Sequence, residues 1–381
     1  MSTLRVSNIK NKNSSSGGLE IDSSGHVKVD GQQMPSAGPL SNRNLIINGA
    51  MQVAQRATQV TGVTGDGYYT CDRWRLFLLN LGTLTLDQAT DAPEGFTKSF
   101  KVTCTTADAS PAATDYSLIL QFIEAQNLQH LKYGTSNAEN LIVSFWVKSN
   151  KTGDASFEII QNDNSDRQFT TSYTINSADT WEYKTIAIPG DPSGLINDDN
   201  DIGLQIVWWL NSGSDYTGGT HNATWETFTN TNRNATNLGV GGATNDNFAI
   251  TGVQLELGDV ATPFEHRSFA DELQKCQRYY EKSYNIDTPP GTNAGSLSSV
   301  EDFYAAINVP ARVRFSVSKR NDPSMEVYDI VGNSGRYTIN ISTHNAVPLA
   351  VDNNGNSGFK LFTNSTAQSR ATFHWTADAE L

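Results

Sequence analysis

The chain has 381 residues, of which 37% are hydrophobic and 18% charged, and it carries a formal net charge of −13. That length accommodates two or three domains, while seven Trp, sixteen Phe and thirteen Tyr supply more core material than a disordered chain carries. The acidic balance argues against a nucleic-acid partner, whose phosphates must be neutralised by Lys and Arg. Thirty Gly and many Asn, Ser and Thr are the profile of β-sheets with long polar turns. Cys71, Cys104 and Cys276 are widely spaced and odd in number, so they make neither a disulfide framework nor a zinc pattern and read as buried reduced thiols. Met-Ser-Thr-Leu-Arg-Val lacks the apolar core of a signal peptide and no stretch reaches transmembrane length. Folding in a cytoplasm, without membrane insertion, is the expectation.

In chain order, residues 1–40 are thin. Leu4, Val6 and Ile9 form one short strand signal, and Leu19–Asp22 and His26–Val29 flank a turn at Asp22–Gly25. A lone hairpin of this size is marginal in water and needs a partner, whether copies of itself or another protein. Met34–Pro39 reads as a linker. From 41 to 266 strands and turns alternate, with strands expected at Leu45–Asn48, Asn140–Ser149, Ser156–Gln161, Trp181–Ile188, Ile202–Asn211 and Phe248–Leu257. Short strands without intervening helices indicate an antiparallel sandwich. A long stretch without clear strands, Ser212–Gly242, carries Tyr216 and Trp225 and reads as a functional or poorly ordered excursion.

Residues 267–285 hold one helix. Ser268 and Asp271 fit a capping box, and Phe269, Leu273, Cys276 and Tyr280 recur at 4-3-4 spacing as one apolar stripe. The stripe either packs on its own sandwich or forms a short three-helix seam about a trimer axis, and two heptads do not choose between these. Pro289 to Ser299 reads as a second linker. Residues 286–381 alternate again, with strands expected at Ala305–Val309, Val313–Val317, Met325–Asp329, Tyr337–Ile341, Gly358–Phe362 and Ala371–Trp375. The fold class is therefore all-β: an antiparallel sandwich, one short helix and a second, smaller β-sandwich domain.

Two resemblances follow from particular segments. Asn44-Leu-Ile-Ile-Asn-Gly49, Thr180-Trp-Glu-Tyr and Ala249-Ile-Thr-Gly-Val-Gln-Leu-Glu-Leu resemble the jelly roll of carbohydrate-binding modules, which implies that the first sandwich is an antiparallel jelly-roll sandwich. That family often places an acidic residue after the first Asn-Gly for a structural calcium ion. Here the run is Asn48-Gly-Ala-Met-Gln52, and no metal or cofactor is expected. The stretch Asn245–Tyr284, followed by a β segment ending Trp375-Thr-Ala-Asp-Ala-Glu-Leu381, is similar to tailed-phage appendage proteins of the tail-fibre or capsid-fibre kind. This resemblance implies a structural virion protein assembled in the host cytoplasm. It would be a homotrimeric tail fibre, attached to other virion proteins through residues 1–40 and contacting host surface polysaccharide. A purely architectural capsid-fibre, decoration or bridging protein without glycan recognition is the alternative.

No catalytic constellation accompanies these segments. HExxH, Gly-x-Ser-x-Gly, a phosphate-binding loop with Lys and Cys/His ligand pairs are all missing, so no enzyme is expected. Glycan hydrolysis would need two carboxylates about 5–10 Å apart, and 40 acidic residues offer no means of choosing a pair. Glu265-His266 suits packing or capping before the helix. Asn162–Asp166 and Asn197–Asp201 are oxygen-rich enough to consider calcium, but read as solvated turns. Strand alternation is more informative. Leu141, Val143, Phe145 and Val147 share a core face, leaving Ser144, Trp146 and Lys148 opposite. Leu204, Ile206, Trp208 and Leu210 likewise leave Gln205, Trp209 and Asn211 opposite, and Glu158 and Asn162 lie opposite Phe157 and Ile159. Sugars present apolar faces to aromatic rings and hydroxyls to polar neighbours, which makes Trp146, Lys148, Glu158, Gln205, Trp209 and Asn211 the glycan-binding candidates. The competing expectation is that a helix, a loop or a neighbouring subunit covers these faces.

Overall fold

The computed structural model describes residues 7–10, 17–163, 166–293, 301–305, 311–339, 346–348, 350–362 and 369–381. The strand signal at Leu4 and Val6, and the ends of those expected at Ala305–Val309 and Tyr337–Ile341, lie outside them. The body is a sandwich of two antiparallel sheets. One has seven strands in the spatial order Glu226–Thr227, Arg167–Ile175, Gly153–Gln161, Ile202–Ser212, Tyr116–Glu124, Arg75–Leu79 and Gly67–Tyr68. The other has six, in the order Glu182–Ile188, Leu141–Ser149, Asn247–Leu257, Ser99–Thr106, Thr83–Ala89 and Gln59–Val63. Neighbours in space are seldom neighbours in sequence, as jelly-roll crossovers require.

The alternation read from the sequence sets the core. Val143, Phe145 and Val147 from one sheet meet Phe157, Ile159 and Trp208 from the other, all fully buried. The Trp208 ring sits 5.3–5.6 Å from those of Phe157, Phe145 and Trp74, within range of favourable ring pairing. All three cysteines are free and buried.

One expected strand is not a strand. Asn44–Gly49 runs as irregular chain because two asparagine side chains replace the ladder. Asn44 Oδ1 accepts from the Ile46 and Leu255 amides, and Asn48 holds both the amide and the carbonyl of Val53. Asn48 and Met51 take positive φ, and a Cβ on Gly49 would lie 2.1 Å from the Val253 carbonyl oxygen. Strands at Gln59–Val63, Arg75–Leu79, Thr83–Ala89, Ser99–Thr106, Tyr116–Glu124 and Arg167–Ile175 were not expected from sequence. In Gln59–Val63, Thr83–Ala89, Ser99–Thr106 and Arg167–Ile175 the outward positions carry Thr, Lys and Gln and read as turn, whereas Arg75–Leu79 and Tyr116–Glu124 are apolar on both faces and show no alternation.

The N-terminal hairpin has neighbours within its own chain. Leu19–Ile21 and Val27–Val29 lie between short strands at Asn8–Ile9 and Gln32–Gln33. His26 faces Asp22 with Nδ1 and Asp259 of the body with Nε2, each at 3.2 Å.

The helix is shorter than expected, Phe269–Gln277 rather than a run to Tyr284, because Tyr280–Lys282 pairs as a strand with Thr376–Asp378. Two adjacent tyrosines favour a pleated, half-buried surface over a helix end. Only half of the capping box forms: Ser268 Oγ accepts from the Asp271 amide, while the Asp271 carboxylate accepts from Ser268 Oγ instead of a backbone amide. The C-terminal unit then builds two sheets. In one, Ser369–Asp378 pairs with strands at Glu301–Ala305, Ser324–Tyr328 and Arg336–Thr338. In the other, Ala311–Arg314, Gly358–Phe362 and Ala350–Gly355 lie side by side. Val313, Phe359 and Leu361 pack against Val327, Tyr337, Phe373 and Trp375 between them.

The two β units are joined through buried charge. Glu124, 0% exposed, accepts from Arg278 Nε and Nη2 at 2.7 Å and from the Tyr279 hydroxyl, latching the helix end to the seven-stranded sheet. Burial pushes the Glu124 carboxyl up, but the hydrogen bonds from Arg278 and Tyr279 outweigh it and hold the group below its ordinary 4.5. A depressed carboxylate contributes stability above the unfolded value and loses it as pH falls through the folded one. Glu124→Gln is therefore expected to cost about 2 kcal/mol at neutral pH. It should also flatten the wild-type loss of stability below about pH 4.5, as measured by denaturant titration across that range.

Candidate functional site

The six glycan candidates do not share a surface. Glu158, Gln205, Trp209 and Asn211 lie on the outer side of the seven-stranded sheet, whereas Trp146 and Lys148 lie on the outer side of the six-stranded sheet, across the whole sandwich. Of these four, Glu158, Trp209 and Asn211 are covered, while Gln205 is half-buried. The excursion after Ile202–Ser212 folds back over the three through a short helix, Ser214–Thr217, and a turn at Asn230–Asn232. Trp209 is 1% exposed; its Nε1 donates to Glu158 Oε2 at 2.9 Å and its ring meets that of Tyr216 at 5.4 Å. Arg233, carried by the same excursion, makes a two-pronged pair with Glu158 at 2.8 and 3.1 Å and lies 4.9 Å over the Trp209 ring. Asn211 accepts from Asn237, and Gln205 donates to Asn162. Trp225 is pinned by its Nε1 on the Pro189 carbonyl. Alternation placed Trp209 on the correct face, but that face is a second small core with Leu118, Leu120, Phe122 and Val207, not a cleft.

The helix stripe divides in the same way. Cys276 is fully buried and Tyr280 is 5% exposed beneath the Arg56 guanidinium, so neither can contribute to an interface between copies. Phe269 remains 48% exposed and Leu273 half-buried.

On the six-stranded sheet the outer face is covered along Asn247–Leu257, where Thr251, Gln254 and Glu256 are buried, but stays partly open at the edge formed by Trp146 and Tyr183. Trp146 pairs in register with Tyr183 of the edge strand, and their rings are 5.4 Å apart. Tyr183 is 46% exposed and Trp146 is half-buried. Trp181, just before that strand, donates its Nε1 to Asp91 Oδ1 at 3.2 Å. Lys148 pairs with the same carboxylate and sits 5.5 Å from the Trp181 ring. Partial burial pushes the Asp91 carboxyl up, yet the bonds from Lys148 and Trp181 outweigh it and hold it below the ordinary carboxylate range. The result is a platform of three aromatic rings, with a fixed ion pair at its side. Trp181 and Tyr183 escaped the sequence reading. The alternation of Ile186 and Ile188 inward already placed Tyr183 outward, but its proximity to Trp146 needed the strand order.

Next to the platform lies a notch of about 270 Å³ lined by Gln52, Phe96, Thr97, Phe264, His266 and Phe269, among others. The rings of Phe96, Phe264 and His266 are mutually 4.9–5.3 Å apart. Glu265 takes the packing and capping role expected of the Glu-His pair, accepting from the Arg43 and Asn44 amides at 3.1 Å, while His266 faces solvent.

The two acidic turns approach each other. Asp163 accepts from the amide and side chain of Asn197, and burial, followed by the charges of Asp199 and Asp201, raises its carboxyl above the ordinary range. Among the described residues, no group of three His, Cys, Asp or Glu side chains is arranged to hold a metal.

No family model and no curated protein matches the chain. Among solved structures, similarity is found to the enzymatically active domain of tailspike protein 4 of bacteriophage CBA120, at 12% identity and a TM-score of 0.29, over 56% of this chain and 21% of that one. The family 11 carbohydrate-binding module of a Clostridium thermocellum cellulosomal cellulase is similar at 13% identity and 0.26, over 51% and 96%. The module TmCBM61 in complex with β-1,4-galactotriose is similar at 10% identity and 0.29, over 57% and 100%. Likenesses this weak carry no residue and no ligand across to this chain.

Proposed function

We propose that the chain is a non-enzymatic saccharide-binding protein that serves in a virion appendage of a tailed phage. The observation that carries the saccharide reading is the partly open platform of Trp146, Tyr183 and Trp181 beside the Asp91–Lys148 pair. One exposed and two half-buried rings held by their neighbours, with polar groups at their edge, suit the apolar face and hydroxyl rim of a sugar. The virion role rests on the sequence similarity of Asn245–Tyr284 and the C-terminal segment to appendage proteins. In that setting several weak sites on one particle would bind by avidity, and the chain would be a homotrimer attached through residues 1–40 and assembled in a host cytoplasm.

Screening the full chain against an array of neutral and acidic glycans, then titrating a bound member, tests the reading. The double variant Trp146→Ala, Tyr183→Ala should lose at least about thirtyfold in affinity, from two ring contacts of about 1 kcal/mol each. Undiminished binding by a folded double variant, or no bound glycan at all, overturns the saccharide reading. Light scattering on the same sample should return three times the chain mass. A monomer removes the trimer and favours the architectural alternative.

A further inference from the structure

The platform does not end at Trp146. In register, Trp146 pairs with Thr251 of Asn247–Leu257, so both residues face outward. Thr251 Oγ1 donates to the Lys98 carbonyl, which draws the segment before Ser99–Thr106 onto the sheet at that point. A bulge follows, and a Cβ on Gly252 (φ +60°) would lie 2.7 Å from the Phe96 ring. Phe96 is therefore seated on the strand next to the one that carries Trp146. One interstrand step of about 4.8 Å separates the platform's strand from the strand under the notch.

The notch has the components of a sugar site. Phe96, Phe264 and His266 form an aromatic wall, Phe269 stands exposed at its edge, and the Thr97 hydroxyl and Gln52 amide line it. Its charge is spent internally: Arg267 is engaged by Glu265 and Glu272. The platform is alike, with Lys148 committed to Asp91. With these cations paired and the chain as a whole carrying −13, a neutral sugar is favoured over an anionic one.

We infer that the notch of Phe96, Phe264 and His266 is a second sugar subsite, aligned with the Trp146–Tyr183 platform across Asn247–Leu257, and that the two together take a neutral oligosaccharide chain. This rests on the saccharide reading of the platform. The notch accounts for the exposure of Phe269 and His266 without a second protein, and it assigns a role to the ring cluster before the helix.

The test is calorimetric titration of the full chain with neutral β-1,4-linked gluco-, galacto- and manno-oligosaccharides from disaccharide to hexasaccharide, and with an oligogalacturonate hexasaccharide as the acidic probe. Affinity for a neutral series should rise with length. Phe264→Ala should lower hexasaccharide affinity about tenfold while leaving disaccharide affinity unchanged. His266→Ala, at an exposed position, should act in the same direction. Trp146→Ala should weaken both lengths. If His266→Ala and Phe264→Ala bind the hexasaccharide as the wild type does, the subsite is wrong and the platform stands. Preference for the acidic probe overturns the neutral class. Loss of nothing in Trp146→Ala, or no saturable binding by any probe at millimolar concentration, removes the platform reading and the subsite with it.

Discussion

Arg73→Ala is expected to cost about 3–5 kcal/mol of unfolding free energy, because it strips the partner from a charge held between the two β units. Arg73 is 0% exposed and Glu380 5%. The guanidinium pairs with the Glu380 carboxylate, donates to the Phe122 carbonyl at 2.8 Å and lies 3.4 Å over the Tyr279 ring. Arg56 repeats the arrangement one layer away, on Asp378 at 2.8 Å and over Tyr280 at 3.7 Å. Arg320 donates to the carbonyls of Ala379 and Glu380 and to that of Asn200 in the body. Removing Arg73 leaves Glu380 with Arg56 alone, at 3.5 Å, and a void under Tyr279. The double variant Arg73→Ala, Glu380→Gln should recover part of the loss, and the cycle measures the coupling. Hydrogen exchange should show residues 376–381 losing protection first. A change below about 1 kcal/mol would mean that apolar packing, not this charge pair, joins the units.

Arg233→Ala is the second large effect expected, again about 3–5 kcal/mol. Here the stranded group is Glu158, 0% exposed, which would keep only the Trp209 N–H as a donor. The excursion over the seven-stranded sheet would lose its central anchor, since Arg233 also contacts the Tyr216 and Phe228 rings. Exchange protection across 213–236 should fall and Trp209 should become accessible to a fluorescence quencher. Glycan affinity measured at the platform should not change, because the two faces lie on opposite sides of the sandwich. If quenching stays at the wild-type level, the cover is held by its backbone bonds, such as Asn234 N to the Tyr216 carbonyl.

These two variants also mark where local pattern stopped being sufficient. Alternation identified the faces: Leu141 through Val147 and Leu204 through Leu210 point inward as period two requires, and Trp209 points away from Trp208. It did not say what lies above a face. Polar neighbours such as Glu158 and Asn211 look the same in sequence whether they meet water or an arginine from a loop twenty or more residues later. The Asn44–Gly49 segment failed for a related reason. Its apolar run suggested a strand, but side-chain amides of Asn44 and Asn48 took over the backbone partners. The candidate site was half legible. Trp146 and Lys148 were found, whereas Trp181, Tyr183 and Asp91 became their neighbours only through the pairing of Leu141–Ser149 with Glu182–Ile188 and the path of residues 90–98.

What the sequence by itself determined was therefore the local part: the β class, the inward and outward sets of each recognised strand, the helix start at Ser268 and the absence of familiar catalytic motifs. Each depends on spacing within a few residues, where backbone geometry alone decides which side chains share a face. The tertiary structure decided which outer face stays partly open, where the helix yields to the strand Tyr280–Lys282 and how the second β unit is fastened to the first. Those outcomes rest on contacts between residues far apart in the chain. They turn on desolvation and ion pairing between groups that no local period relates, as Glu158 with Arg233 and Arg73 with Glu380 illustrate.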